Sequence, residues 1–273
     1  MFFELHAHTH HSTGRKIPCE CTVSPKQLVK IAKKIGLNGV AVTDHDNIKA
    51  WKEASREAKK EGMIFIPGIE ISTRQGHLIG LGLTEYVKPF MDVDETLDYI
   101  RMQGAVSVAP HPFDIKGEGL GRLSERVDAI EVFNSLNMDR ASNGVAHRYA
   151  KKQRKPMVVG SDAHSSKMIG RSMNIIEADD AEGVLNAIRN NRVDHIKRYA
   201  TVDSLIFWAE ERMATSSADI LKYIDRNYNR PKAWISRKLM MKFLSIPNIY
   251  WKPLAYFGLG SSMAYGSIRS LFY

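Results

Sequence analysis

From the N-terminus to about Gly160, short β-branched and apolar runs alternate with stretches of helical periodicity. That alternation restricts the chain to parallel strands joined by crossover helices. Candidate strands lie at residues 2–5, 40–43, 64–66, 77–83, 106–109, 129–133 and 157–159. The clearest helix is 24–35, with Ser24 as N-cap, Pro25 at the first helical position, Leu28, Ile31, Ala32 and Ile35 on one face, and Gly36 as the stop. Further helices are expected near 48–61, 94–103, 139–152 and 181–190. Seven short strands with helices between them predict an α/β fold, a closed or nearly closed barrel rather than an open sheet.

Beyond about His195 the strand signals stop, and segments 203–213, 218–228 and 231–244 read as helices. The expected division is therefore a barrel over residues 1–200 and a helical C-terminal extension over 201–273, with 273 residues leaving room for both. The extension is basic and aromatic: residues 195–273 hold 12 Lys/Arg against 5 Asp/Glu and so carry +7 of the net +9. The longest uncharged run there, residues 253–268, is 16 long, short of the roughly 18–20 apolar residues of a spanning helix. The start MFFELHAH has neither a basic nor a long apolar region, so no signal peptide is expected. Two cysteines one residue apart, Cys19 and Cys21, cannot build a disulfide framework, which fits a reducing, cytoplasmic setting.

Four of the ten histidines, His6, His8, His10 and His11, fall within six residues directly after the first strand. Residues i and i+2 of a strand point the same way, so His6 and His8 present two imidazoles to one side, an arrangement suited to a transition metal. Most later strands also carry a ligand-type residue at or near an end: Asp44 and His45 in TDHD, Glu70 in GIE, His77 in GHLIG, His111 in APHP, Asp162 and His164 in GSDAH. In a barrel the C-terminal strand ends converge on one face, where such residues meet.

In order, HAHT, TDHD, GIEIS, GHLIGLG, APHP and GSDAH resemble the motif series of the PHP family, the polymerase and histidinol phosphatase metal-dependent hydrolases, over residues 2–195. GIEIST and GHLIGLG look most like the branch with nucleoside bisphosphate phosphatases and RNA-trimming exonucleases. The resemblance implies a distorted seven-stranded (β/α) barrel. It also implies that His6, His8, Glu70 and Asp162 surround one metal and form the catalytic set. Glu70 would bridge to a second ion held by His111 and His77, and His45 and His164 would hold a third. The chain departs from the pattern after the first His pair, where many members have Ser-Asp-Gly and this one has Ser12, Thr13 and Gly14. His10, which shares the strand-face parity of His8, is the preferred substitute over His11.

Imidazole and carboxylate donors suit two or three ions of Zn, Mn or Fe better than Mg or Ca. Such an ion lowers the pKa of bound water from about 15.7 to about 7, and no GxSxG, Walker A or GxGxxG signature offers a competing chemistry. The expected function is a metal-dependent phosphoesterase acting on phosphomonoesters or short nucleic-acid or nucleotide phosphates by attack of metal-bound hydroxide. The alternative is a non-catalytic nucleic-acid-binding barrel, as in the related archaeal ribonuclease P subunit. The short span from His77 to His111 leaves no room for an inserted capping domain, so the bisphosphate specificity of relatives that carry one is not assumed. Arg15, Arg74, Lys116, Arg122, Lys167 and Arg171 flank the motifs as candidates to neutralise substrate phosphates, and Cys19 and Cys21 are near enough in sequence to touch a metal as thiolates. In segment 231–244, Ile235, Leu239, Met240, Phe243 and Leu244 cover one arc, with Arg237, Lys238 and Lys242 mainly outside it. That arc either packs on the barrel or serves a contact with RNA or an anionic membrane surface, which would make the protein peripheral to the membrane.

Overall fold

A computed structural model describes residues 1–14 and 19–273, so Arg15 lies outside the described residues. The seven expected strands are present as β1 (Phe2–Glu4), β2 (Gly39–Val42), β3 (Ile64–Ser72), β4 (His77–Leu81), β5 (Val106–Ala109), β6 (Ala129–Asn134) and β7 (Met157–Gly160). Two more follow, β8 (Met173–Ile175) and β9 (Asp194–Ile196), making nine rather than seven among the described residues. Each has three residues, too few to show a period, which is why neither stands out in the sequence. The sheet runs β7-β6-β5-β4-β3-β2-β1-β8-β9.

The purely parallel reading also needs correction. β1, β2 and β3 run parallel, as do β5, β6 and β7, but β4 is antiparallel to both its neighbours. A turn of four residues between Ser72 and His77 is too short for a crossover and permits only a hairpin. β8 and β9 are antiparallel additions beside β1.

The helices on the sheet are α1 (Pro25–Lys34), α2 (Trp51–Glu61), α3 (Val93–Met102), α4 (Ala141–Gln153) and α5 (Ala181–Arg189). α1 starts as its sequence dictates: Ser24 Oγ accepts from Gln27 N–H, the Gln27 side chain accepts from Ser24 N–H, and Pro25 occupies the first turn. One apolar cluster takes Phe3, Ala41, Ile66, Leu81, Val106, Ala129 and Val158, one residue from each of β1 to β7, together with Val184 and Ile188 of α5. Only the concave side of a strongly curved sheet brings all seven strands to one cluster, so these residues fill a nearly closed barrel with α5 against it. Two other clusters join strands to α1 and α2, and to α3, on the outside.

Closure between β1 and β7 is made beyond the ladders. His8 N–H donates to Ala163 O at 3.0 Å and Asp162 N–H to His6 O at 2.9 Å. At the other end the buried Asn174 side chain imitates a strand, accepting from Val159 N–H (2.9 Å) and donating to Val159 O (2.7 Å).

The C-terminal helices are α6 (Val202–Thr215), α7 (Ser217–Asn227), α8 (Arg230–Ser245) and α9 (Lys252–Arg269). α9, which the sequence shows only as an uncharged run, packs near α4 at Gly266, where an added Cβ would sit 2.5 Å from Asp139 Cβ. No described helix is long and apolar enough to cross a membrane. Of the arc predicted on α8, Met240 is buried and Phe243 packs on Trp251, but Ile235, Leu239 and Leu244 are exposed.

Candidate metal centre

Each ligand-type residue reaches one mouth by a specific piece of backbone. His6 and His8 follow β1, and their Nε2 atoms face each other at 3.3 Å. His45 follows β2, Glu70 lies in the second half of β3, His111 follows β5, and Asp162 and His164 follow β7. His77 starts its strand, an end that a parallel β4 would place at the far side of the barrel. Because β4 is antiparallel, Ser72 pairs with His77 and the imidazole arrives at the same rim. His111 and Asp162 hold φ of +30° and +51°, a cost of about 1–3 kcal/mol each that the surrounding hydrogen bonds must offset.

Glu70 is the hub. Only 1% exposed, it has His6 Nε2 and His8 Nε2 at 3.2 Å from Oε2, His45 Nε2 at 3.5 Å, and His77 Nδ1 and His111 Nε2 at 3.0 Å from Oε1. Asp162 Oδ1 lies 3.2 Å from His8 and 3.5 Å from His6. Among the described residues, three groups offer donor atoms all within 4.8 Å of one another: His6, His8, Glu70 and Asp162; His45, Glu70 and His77; and His8, His45 and His164. All eight expected ligands thus share the mouth. The grouping differs in detail, since His45 joins Glu70 and His77 where His111 was expected, and the His111 ring reaches the donor groups at Glu70 Oε1.

The sequence reading missed several participants. Glu131 accepts from His111 N–H (2.8 Å), lies 2.9 Å from His6 Nδ1, and is itself held by Asn134. Ser12 Oγ contacts His8 Nδ1 and accepts from His45 N–H, both at 3.1 Å. Asp44, a ligand-type residue in TDHD, instead binds Thr9 N–H and hydroxyl and so fixes the loop behind His8. Glu20 matters most: its carboxylate lies 3.6 Å from His45 and 4.0 Å from His164, where the Asp of Ser-Asp-Gly is lacking. His10 is exposed and stacks edge-on against His11, outside these groups, so the preference for it is corrected. Cys21 is buried with its thiol on His8 O, and Cys19 points to Cys21 O; neither joins a donor group. The acid inside an apolar strand, as in AIEVFN, is the signal that would have found Glu131.

Electrostatics divides the imidazoles into two kinds. Burial alone disfavours charge on His8, but hydrogen bonds and charge from Asp162 and Glu70 overcome it and raise the pKa to about 10; His111 rises to about 9 against the same burial through its Glu70 hydrogen bond. For His45 and His164 burial prevails, aided by the neighbouring His8, and both fall to about 4. Burial pushes Glu70 and Asp162 upward, yet the surrounding imidazoles hold both well below the carboxylate range. The cluster is therefore anionic carboxylate balanced by protons on some rings, with lone pairs free on others.

That donor set fits a divalent transition metal. His77 Nδ1 is 3.0 Å from Glu70 Oε1 without hydrogen-bond geometry, and Glu20 Oε2 is buried without a hydrogen-bond partner among the described residues. Two lone-pair atoms as close as His77 Nδ1 and Glu70 Oε1 with no hydrogen bond between them are what a shared cation satisfies. The His164 tautomer is set for it: Nδ1–H donates to Asp162 O at 2.8 Å, leaving Nε2 toward Glu20. Of the flanking cations, Lys116 is exposed and pairs with Glu118 at 3.6 Å. Arg74 is tied to Phe90 O, Lys167 lies over Phe207, Arg171 binds Lys167 O, and Arg122 lines a separate cavity with Tyr149.

A PHP-associated family model (PHP_C) matches residues 140–193. Two uncharacterized proteins of Methanocaldococcus jannaschii are similar: one is 35% identical over 150 residues, covering 52% of this chain and 87% of the relative, the other 34% over 198 residues, covering 66% and 75%. A 5'-3' exoribonuclease of Haemophilus influenzae is 39% identical over 83 residues, 29% of this chain and 28% of that protein. Among solved structures, a two-domain Bacteroides vulgatus protein containing a predicted PHP-like metal-dependent phosphoesterase superposes with TM-score 0.58 at 20% identity, covering 77% of this chain and 69% of that one. With the whole motif series brought to a single mouth and a PHP-associated model matching residues 140–193, the chain belongs to the PHP (polymerase and histidinol phosphatase) family.

Proposed function

We propose that the chain is a metal-dependent phosphoesterase acting on phosphomonoesters or on the phosphate at the end of a short oligonucleotide. One observation carries the reading: a single buried carboxylate, Glu70, has five imidazoles within 3.5 Å. Glu70 belongs to two donor groups and would serve two ions, one held with His6, His8 and Asp162 and the other with His45 and His77, with His111 beside Glu70 Oε1. Bound there, divalent Zn, Mn or Fe ions would polarise a phosphoryl oxygen and make water acidic enough to act as nucleophile near neutral pH. The chain's own residues supply the rest. Glu131 and Ser12 orient the rings of His6 and His8 through their Nδ1 atoms, the carbonyl of Asp162 orients His164, and Glu20 joins His45 and His164 as the acid of a third site.

The likeness to an exoribonuclease supports an oligonucleotide end as substrate, while the donor set supports phosphate ester hydrolysis in general. Against a non-catalytic scaffold stands the presence of every ligand-type side chain in the mouth, since a barrel freed from catalysis has no reason to keep costly buried carboxylates and imidazoles together. The test is metal content of protein purified without added ions, followed by a panel of phosphomonoesters, phosphodiesters and 5′-phosphorylated oligonucleotides. Hydrolysis should vanish with a chelator and return with Mn²⁺ or Zn²⁺. Full activity in metal-free protein would overturn the proposal.

A further inference from the structure

The last 48 residues, 226–273, contain eight Lys/Arg and not one Asp or Glu. They also leave uncovered more apolar surface than any other part of the chain: Leu254, Phe257, Ile268, Leu271 and Phe272 are each between 61% and 81% exposed. On α9 these are not scattered. At about 100° per residue, Leu254, Phe257, Ser261, Tyr265 and Ile268 fall within an arc of roughly 80°, a continuous uncharged stripe. α8 adds Trp234, Ile235 and Leu239, all at least half exposed, and the lysines Lys232, Lys238 and Lys242. Arg237 pairs with Asp225 and Lys252 with Asp203, but among the described residues no carboxylate lies within 4 Å of those three lysines.

We propose that the surface built by α8, α9 and the residues through Phe272 docks the protein on an anionic lipid surface. An uncharged stripe on a helix not long and apolar enough to span, in a segment whose only charges are cations, matches a helix lying in the headgroup plane, with apolar side chains toward the acyl boundary and lysine heads among phosphates. RNA fits less well, because bases stack on aromatic rings and Leu254, Ile268 and Leu271 offer no such face. A second copy fits less well too, because a self-complementary contact would set the unpaired lysines of two copies together with no carboxylate of this segment to offset them.

The test is flotation of the full chain with vesicles of phosphatidylcholine alone or mixed with phosphatidylglycerol, at low and high salt, beside fluorescence anisotropy with single-stranded RNA and a solution mass measurement. The mixed vesicles should carry the protein, and salt should release it. Lys232→Gln/Lys238→Gln/Lys242→Gln should lower partitioning roughly 10- to 100-fold, and Phe257→Ser/Leu271→Ser at least about tenfold, with thermal midpoints unchanged because all five side chains are exposed. Three results would each overturn the proposal: no flotation of the parent protein, flotation that neither variant weakens, or a stable dimer that Phe257→Ser/Leu271→Ser dissociates. RNA binding lost with the lysines in a protein that ignores vesicles would assign the face to nucleic acid instead.

Discussion

A neutral amide at Glu70 keeps the size of the side chain but removes the charge that five imidazoles surround. Glu70→Gln should therefore lose bound metal and hydrolysis together, by more than the roughly 10–100-fold typical of a partner one step removed from the ion. Glu131→Gln, which disturbs the ring of His6 rather than a donor, should fall within that 10–100-fold range of metal affinity, measured by titration with a competing chelator. Glu20→Gln should lower metal content by one equivalent per chain, and unchanged content would remove Glu20 from the site. Thr13→Asp should change nothing, because Thr13 is exposed and Glu20 already faces His45 and His164. The difference in legibility among these residues is physical. Short motifs advertise Glu70, Asp162 and the histidines, whereas Glu131 hides as one acid in an apolar strand, and Glu20 lies in a loop whose course no local pattern determines.

That loop is held by a helix some 190 residues away in sequence. Trp208 Nε1–H of α6 donates to Glu20 O at 2.7 Å, Arg212 Nε–H donates to Cys19 O at 2.9 Å, and Thr22 hydroxyl donates to the Glu211 carboxylate at 2.8 Å. The Trp208 ring also packs on His164 at 5.1 Å between centroids. A boundary drawn at residue 201 would thus separate α6 from the loop it positions. Trp208→Phe, which removes the donor and keeps an aromatic ring, should cost about 1 kcal/mol of stability and weaken retention of the same metal equivalent that Glu20→Gln loses. Thermal unfolding and metal analysis read the two effects separately. The loop makes a second prediction through Cys21, whose thiol is buried and donates to His8 O, and which burial pushes to a pKa far above that of a free thiol. Iodoacetamide should leave Cys21 unmodified in the native protein and label it on unfolding, by mass spectrometry of the peptide; rapid native labelling would show the loop open.

At the scale of the whole molecule, β9 rests on β7 through His195, whose Nε2–H donates to Met157 O at 2.9 Å. Burial keeps this imidazole neutral and lowers its pKa from 6.5. As pH falls below 6.5 the unfolded chain takes up a proton that the fold resists, so this group's stabilisation is present above 6.5 and declines as the pH drops through its lower folded value. The thermal midpoint of His195→Gln should therefore fall less steeply on the acid side than that of the parent; parallel slopes would show that His195 does not titrate differently on folding. The same edge illustrates how far local pattern reaches. Alternating apolar runs and a Ser-Pro helix start were enough to determine seven strands and most helices, because strand period and capping act within a few residues, while the eight candidate ligands were singled out by the resemblance of the ordered His and Asp motifs to the PHP series. Only the tertiary structure decided that β4 runs backward and delivers His77 to the right rim, that Asn174 closes the barrel with a side chain, that Glu20 faces His45 and His164, and that Ile235, Leu239 and Leu244 of the α8 arc stay uncovered. Those outcomes depend on where each strand ends and on which segments then meet, and such contacts, from Asn174 with Val159 to Trp208 with Glu20 188 positions away, leave no period in the chain for a sequence to show.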